Sequence, residues 1–261
     1  MSTPETHAVH YMERMTSPQV ERLAGRTNLA LLPVAPPEAH GPHLPLGTDS
    51  IAALELCARA ARELAARGTE CLIAPLLSYC LAEVAGPFPG TISVRPEVVT
   101  ALVADICQGL ARSGFGRTLI VSGHAEEENL VALRAGADQA SDGQARAQVS
   151  RWYADALPKF FHLLREDHPQ HDIHAGEWET ALVLLRAPEL VDRGALDALS
   201  PNWATRRISE RRAGGARTFP ELGAPEGYSG DPRRATARTA EDLYSALGKF
   251  VADEGASLLG C

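Results

Sequence analysis

What most constrains this chain is an alternation: an apolar run too short for a helix, a polar cluster at its C-terminal end, then a stretch with helical periodicity. Leu29-Ala30-Leu31-Leu32-Pro33-Val34 is such a run and feeds a Pro-rich loop. It is apolar without alternation, so it reads as a strand buried on both faces. Thr48 to Arg67 follows with helical spacing, Thr48 in N-cap position and Ile51, Leu54, Cys57 and Leu64 near one face. Glu70 to Ala74 reads as a second strand, closed by Pro75, and Gly90 to Val94 as a third, before a helix that Pro96 opens and that runs to about Ser113. Arg117 to Val121 is the strongest strand, ending at Ser122-Gly123-His124 with a helical pattern directly behind it. Strands separated by helices, with polar groups at strand C-termini, predict an α/β fold with a mainly parallel sheet. Residues 1–261 read as one domain, with residues 1–25, 139–144 and 212–232 expected to be irregular.

Composition narrows the function. The formal net charge of −8 argues against nucleic acid or an anionic membrane as a partner. No run reaches the length of a membrane span, and Met1 to Glu21 lacks the apolar core of a signal peptide, so the expected location is cytoplasmic. The five cysteines are scattered, without a C-x-x-C pair, which fits reduced thiols rather than a disulfide framework or zinc ribbon.

Chemistry gathers first in Glu38-Ala39-His40-Gly41-Pro42-His43-Leu44-Pro45-Leu46-Gly47-Thr48-Asp49. Glu38 and His40 are two apart, so an extended segment points both to one side, and a Pro/Gly turn can fold Asp49 back onto them. Carboxylate, imidazole and carboxylate suit Zn, Mn or Fe in a hydrolytic site. His124 follows the strongest strand, where open α/β sheets bind ligands, and Glu126, Glu127 and Glu128 come next at a helix start. At most one of the three is expected to be a ligand; the others complement the helix dipole.

A further cluster runs from His171 to Thr180. In a helix starting near Ala175, Glu179 reaches back to Ala175 and Gly176, and His174 stands before the first turn, suited to proton transfer. His171 and Asp172 read as surface residues. Glu177 either orients His174 or faces solvent, and Trp178 either packs or walls a pocket. Gly227 to Pro232 is a shaped turn, at the surface or lining a site. No G-x-S-x-G, G-x-x-x-x-G-K-[ST], G-x-G-x-x-G or H-E-x-x-H occurs, which disfavours serine hydrolase, nucleotide, dinucleotide and zincin readings.

Together these clusters resemble the creatininase family of metal-dependent amidohydrolases. The E-x-H-G-P-H-L-P-L-x-T-D pattern is complete from Glu38 to Asp49. Phe88-Pro89-Gly90-Thr91-Ile92, Ser122 to His124, H-A-G-E-x-E-T from His174 to Thr180, and Gly230-Asp231-Pro232 follow in family order. The resemblance implies a layered α/β/α single domain in a homo-oligomer, with two adjacent divalent metals, and hydrolysis of a C–N amide bond in a small amide substrate. It implies Glu38 on one metal, His40 and His124 on the other, Asp49 bridging, and a carboxylate after His124 on the Glu38 side. That carboxylate is Glu126 without a gap and Glu128 if two residues are inserted. His174 takes the catalytic histidine position and Glu179 that of a carboxylate near the metals. Tyr79 and Trp178 are the substrate-side candidates.

The sequence departs from the family at Tyr79 to Ala85, where Y-G-x-S-x-E-H is replaced by Tyr79-Cys80-Leu81-Ala82-Glu83-Val84-Ala85. This points away from creatinine itself. A peptide-cleaving member is the main alternative; a non-catalytic binding or assembly protein and a metal-dependent lyase or isomerase are the others.

Overall fold

The computed structural model describes residues 9–260. Five strands, β1 (His10–Tyr11), β2 (Leu29–Val34), β3 (Leu72–Ile73), β4 (Arg117–Ser122) and β5 (Arg146–Val149), form one sheet in the order β1-β3-β2-β4-β5. Every pairing is parallel, and β2 runs beside β4 from Leu29 opposite Arg117 to Val34 opposite Ser122.

All six residues of β2 are buried because both faces are covered. Leu29 and Leu31 enter a core shared with α2 (Thr48–Ala66), α5 (Glu177–Arg186) and α9 (Ala237–Leu259). Ala30, Leu32 and Val34 enter the opposite core with α1 (Ser17–Ala24), α3 (Pro96–Arg112) and α4 (Glu127–Ala140). Two helical layers around a parallel sheet account for the unalternating apolar run. From β2 the chain crosses to β3 on one side, and from β4 to β5 on the other. The C-terminal ends of β2 and β4 therefore flank a topological switch point, where such sheets leave a crevice.

Some local expectations need correction. Residues 9–25 are ordered: β1 pairs with β3, and α1 carries a capping box between Thr16 and Gln19. Residues 1–8 of that segment lie outside the described residues. Gly90–Val94 is not a strand; Ile92 and Val94 instead donate backbone hydrogen bonds to Pro37 and Cys80, tying this segment beside the Glu38 loop. α4 runs on to Ala140, and β5 was not expected at all, because Arg146-Ala147-Gln148-Val149 carries little apolar signal. In α2, Gly47 is the N-cap and Leu54 is only half-buried; the buried face runs through Ala52, Ala53, Leu56, Cys57, Ala60 and Leu64. Residues 212–232 contain the end of α7 (Ile208–Ala213) and the short helix α8 (Phe219–Leu222), which the core anchors through Phe219 and Leu222.

Candidate metal centre

The loop after β2 is held shut at its base, where the Glu38 amide donates to the Leu46 carbonyl and the Thr48 hydroxyl to the Pro45 carbonyl. Gly41, at φ +63°, provides the left-handed turn between the two histidines. The amide of Ala39 donates to Thr91. This closure sets Glu38 and His40 above the sheet and returns the chain so that Asp49 sits in the first turn of α2. All three are buried. His40 donates Nδ1–H to the Glu38 carbonyl at 3.0 Å, which leaves Nε2 as its free lone pair, 3.1 Å from Asp49 Oδ1.

Asp49 stands between two imidazoles. Its other oxygen, Oδ2, is 3.2 Å from His124 Nδ1, which is also 2.9 Å from Glu38 Oε2. Two groups that could hold a metal ion result, Glu38–Asp49–His124 and His40–Asp49–Glu179, sharing Asp49, and a third joins Glu38 and His40 to His174. His124 thus stands beside Glu38, and Glu179 takes the place near His40 that the family resemblance implied for His124. Glu126 is buried, with Oε2 at 3.6 Å from His124 Nε2 and its carboxylate accepting the amides of Glu83 and Val84. Glu128 is exposed.

Proximity here is not hydrogen bonding. Both carboxylate oxygens of Glu38, Nε2 of His40, Oδ2 of Asp49 and Nε2 of His124 are buried without a hydrogen-bond partner. Each such orphan costs about 1–3 kcal/mol, so five together would rival the stability of a whole domain. Divalent cations fit this donor set: borderline-soft imidazole nitrogens and hard carboxylate oxygens converge with free lone pairs. Burial alone would lower His40 and His124, but Asp49 and Glu179 around His40, and Glu38 around His124, hold both well above the usual range. Burial raises Glu38 to about 7, whereas the neighbouring imidazoles hold Asp49 low despite its burial.

His174 is sandwiched between the His40 ring and Phe219, at 4.2 Å from each ring centre. Its Nε2–H donates to the Ala39 carbonyl at 2.8 Å, fixing the tautomer and leaving Nδ1 as acceptor. Burial, and then the charge on His40, holds it well below its usual pKa, so the ring is neutral. Its carbonyl accepts from the Ser229 amide at 2.7 Å, so the Gly227–Pro232 turn buttresses His174 without lining the cavity. Glu179 accepts from the Ala175 amide, as the helical spacing predicted; Ala175 adopts φ +48° to make that contact. Asp172 is buried, not at the surface: its carboxyl accepts from the Trp178 amide, and burial together with Glu166 raises its pKa well above the ordinary range. His171 is half-buried. Glu177 neither orients His174 nor faces solvent; it is buried and accepts the amides of Arg165 and Glu166. His43 is a buried prop, hydrogen-bonded to Thr180 at 2.9 Å.

These groups open into a cavity of about 290 Å³, the lower end of the range for small-molecule sites. Glu38, Asp49, His124, Glu126, His174 and Glu179 form its polar floor; Val84, Tyr153, Trp178, Phe219 and Leu222 form apolar walls, and Arg212 lies at the edge. Trp178 both walls the cavity and packs edge-on against Trp152 and Tyr153. Tyr79 does neither: it is exposed and outside the lining, so its expected substrate contact is withdrawn. Tyr153, Phe219 and Arg212 were not foreseen. They come from a π-helical turn and from the segment read as irregular, neither of which carries a periodic signal.

The creatininase family model, described as creatinine amidohydrolase, matches residues 13–254. The mycofactocin precursor peptide peptidase of Mycobacterium ulcerans (strain Agy99) is 29% identical over 221 residues, 83% of this chain and 80% of that protein. The creatinine amidohydrolase of Pseudomonas putida is 30% identical over 186 residues, 66% of this chain and 69% of that one. A solved structure of a putative creatinine amidohydrolase from Bacteroides fragilis NCTC 9343 superposes with a TM-score of 0.77 at 24% identity, over 95% of this chain and 96% of that one.

Proposed function

From the premise that this chain belongs to the creatininase family, we propose that it is a metal-dependent hydrolase of a C–N amide bond in a small amide substrate. The observation that carries this reading is the set of five orphaned polar atoms on Glu38, His40, Asp49 and His124, of which Glu38, Asp49 and His124 line the cavity floor and His40 stands beside Asp49. Glu38, Asp49 and His124 would hold one divalent ion, with Glu126 behind His124; His40, Asp49 and Glu179 would hold the other. Zn, Mn or Fe suits this mixture of donors. When bound, such a pair polarises a carbonyl and lowers the pKa of water.

The chain's own groups do the rest. The backbone carbonyls of Glu38 and Ala39 accept from His40 Nδ1–H and His174 Nε2–H and fix these two rings. The amide carbon gains the oxygen of water as its C–N bond breaks, and the departing nitrogen needs a proton because an amide anion is a poor leaving group. His174 is neutral with Nδ1 free, so it can take the proton from the attacking water and return it to that nitrogen. Trp178, Tyr153 and Phe219 exclude bulk water and shape the pocket.

A peptide substrate is the second reading. A neighbouring cavity of about 370 Å³ shares His124, Ala125, Glu127 and Tyr153 with the first, space for a longer chain on the other side of His124. A homo-oligomer in the cytoplasm accords with the family resemblance and with four buried free cysteines, Cys57, Cys71, Cys80 and Cys107. No helix among the described residues is long and apolar enough to cross a membrane.

The test is elemental mass spectrometry of the purified protein, followed by product masses from a panel of amides, formamides and peptides. Two divalent ions per chain and products whose summed mass exceeds that of the substrate by one water support the hydrolase. No metal after reconstitution with Zn or Mn refutes it, and an unchanged product mass would indicate an isomerase.

A further inference from the structure

Arg212 is the one lysine or arginine lining the cavity among the described residues. It comes from α7, where Ile208 and Arg212, four residues apart, share the helix face turned to the cavity. Its guanidinium makes no ion pair and no hydrogen bond among the described residues, and the side chain is exposed. Nearby arginines are used otherwise: Arg207 pairs with Glu210, and Arg211 donates to the Glu221 carbonyl.

The charge balance of the cavity gives this residue its meaning. Glu38, Asp49, Glu126 and Glu179 supply four carboxylates, which two divalent ions would neutralise. Glu127, the remaining acid of the lining, is exposed and engaged by Arg134 at 3.1 Å. His174 is neutral. The loaded cavity is then left with a single unmatched charge, positive and at its edge, facing apolar walls.

We infer that Arg212 receives a carboxylate of the substrate, so that the natural substrate is an anionic amide whose acid group lies away from the scissile bond, as in an N-acylated amino acid or a peptide with a free C-terminus. This deepens, and rests on, the hydrolase reading above. A guanidinium presents two parallel N–H donors to a carboxylate and cannot lose its charge, so it discriminates an acid from its uncharged carboxamide. Ile208 beside it, packed against the cluster that holds Phe219 and Leu222, offers apolar contact to the segment between the acid and the scissile bond.

The probes are N-acetylated glycine, β-alanine, 4-aminobutanoate and 6-aminohexanoate, each as free acid and as carboxamide, so that the span from floor to Arg212 is scanned. Binding to the full-length chain loaded with Zn is read by calorimetry, and turnover with Zn or Mn separately. At one chain length the acid should bind at least tenfold more tightly than its carboxamide. That preference should vanish in Arg212→Gln and return in part in Arg212→Lys, while carboxamide binding and the melting temperature stay put, Arg212 being exposed. No acid preference at any length, or one that survives in Arg212→Gln, overturns the inference. Turnover without acid preference would sink this inference and spare the hydrolase; acid preference without turnover would do the reverse.

Discussion

The backbone of Gly123 lies directly against the carbonyl of Asp49: a Cβ at position 123 would overlap that oxygen and come within 3.0 Å of the Ala53 amide nitrogen. This contact lets the first turn of α2 rest on the C-terminal end of β4, and it brings Asp49 and His124 together although they are far apart in sequence.

Gly123→Ala should therefore push α2 off β4. Overpacking of this kind costs about 1–3 kcal/mol, and the two ligands it separates should bind metal at least tenfold more weakly. Thermal melts and metal titration check this; wild-type values in both would show that the contact is slack.

Asp49→Ala should lose both ions, because each ligand group contains Asp49. Glu126→Gln should weaken metal retention and Glu128→Gln should not, since only Glu126 is buried beside His124. Metal content per chain after dialysis decides all three; a larger loss in Glu128→Gln would move the ligand to that residue.

Chelation should destabilise the protein as well as silence it. With free metal at one hundred times its Kd, linkage contributes about 2.7 kcal/mol, or about 5–10 °C in Tm for a chain of this size. A Tm that does not respond to chelator and re-addition of Zn or Mn would leave the orphaned donors without the partner argued for them.

His174→Ala should keep the metals, since the two groups sharing Asp49 do not include it, and lower kcat by about a hundredfold or more. Turnover equal to wild type would remove His174 from the proton transfer.

His43 gives a pH signature. Burial, and then the charge on His40, pushes its pKa down from 6.5 to about 4. Between these values only the unfolded chain binds the proton, so stability rises with pH across this window and is lost as pH falls through it. In metal-free protein the stability advantage of wild type over His43→Gln should shrink by up to about 3 kcal/mol from pH 7 to pH 4. Urea melts at several pH values measure the gap; a constant gap would mean that His43 titrates normally.

Much of the site was legible because its chemistry is local. Glu38 and His40 share a loop whose turn demands Gly and Pro, and Glu179, in the first turn of α5, reaches back to the Ala175 amide just before the helix. Spacing of this kind survives in sequence. The longer strands were legible too, since burial on both faces writes an unbroken apolar run into β2 and β4. β3 was legible within the Glu70–Ala74 run, whereas β1 and β5 are short or polar, and only their pairing makes them strands.

By itself the sequence determined the α/β alternation, the candidate donors Glu38, His40, Asp49 and His124, and the histidine before α5, because residue type and near spacing specify these. Only the tertiary structure decided which donors stand together, that Glu126 is inside and Glu128 outside, that Tyr79 faces away, and that Arg212 reaches the cavity. Those outcomes depend on how β2, β4, α5 and α7 pack across long separations in the chain. Local periodicity cannot encode them, because the free energy that selects them comes from burial and charge pairing that exist only once the layers have closed.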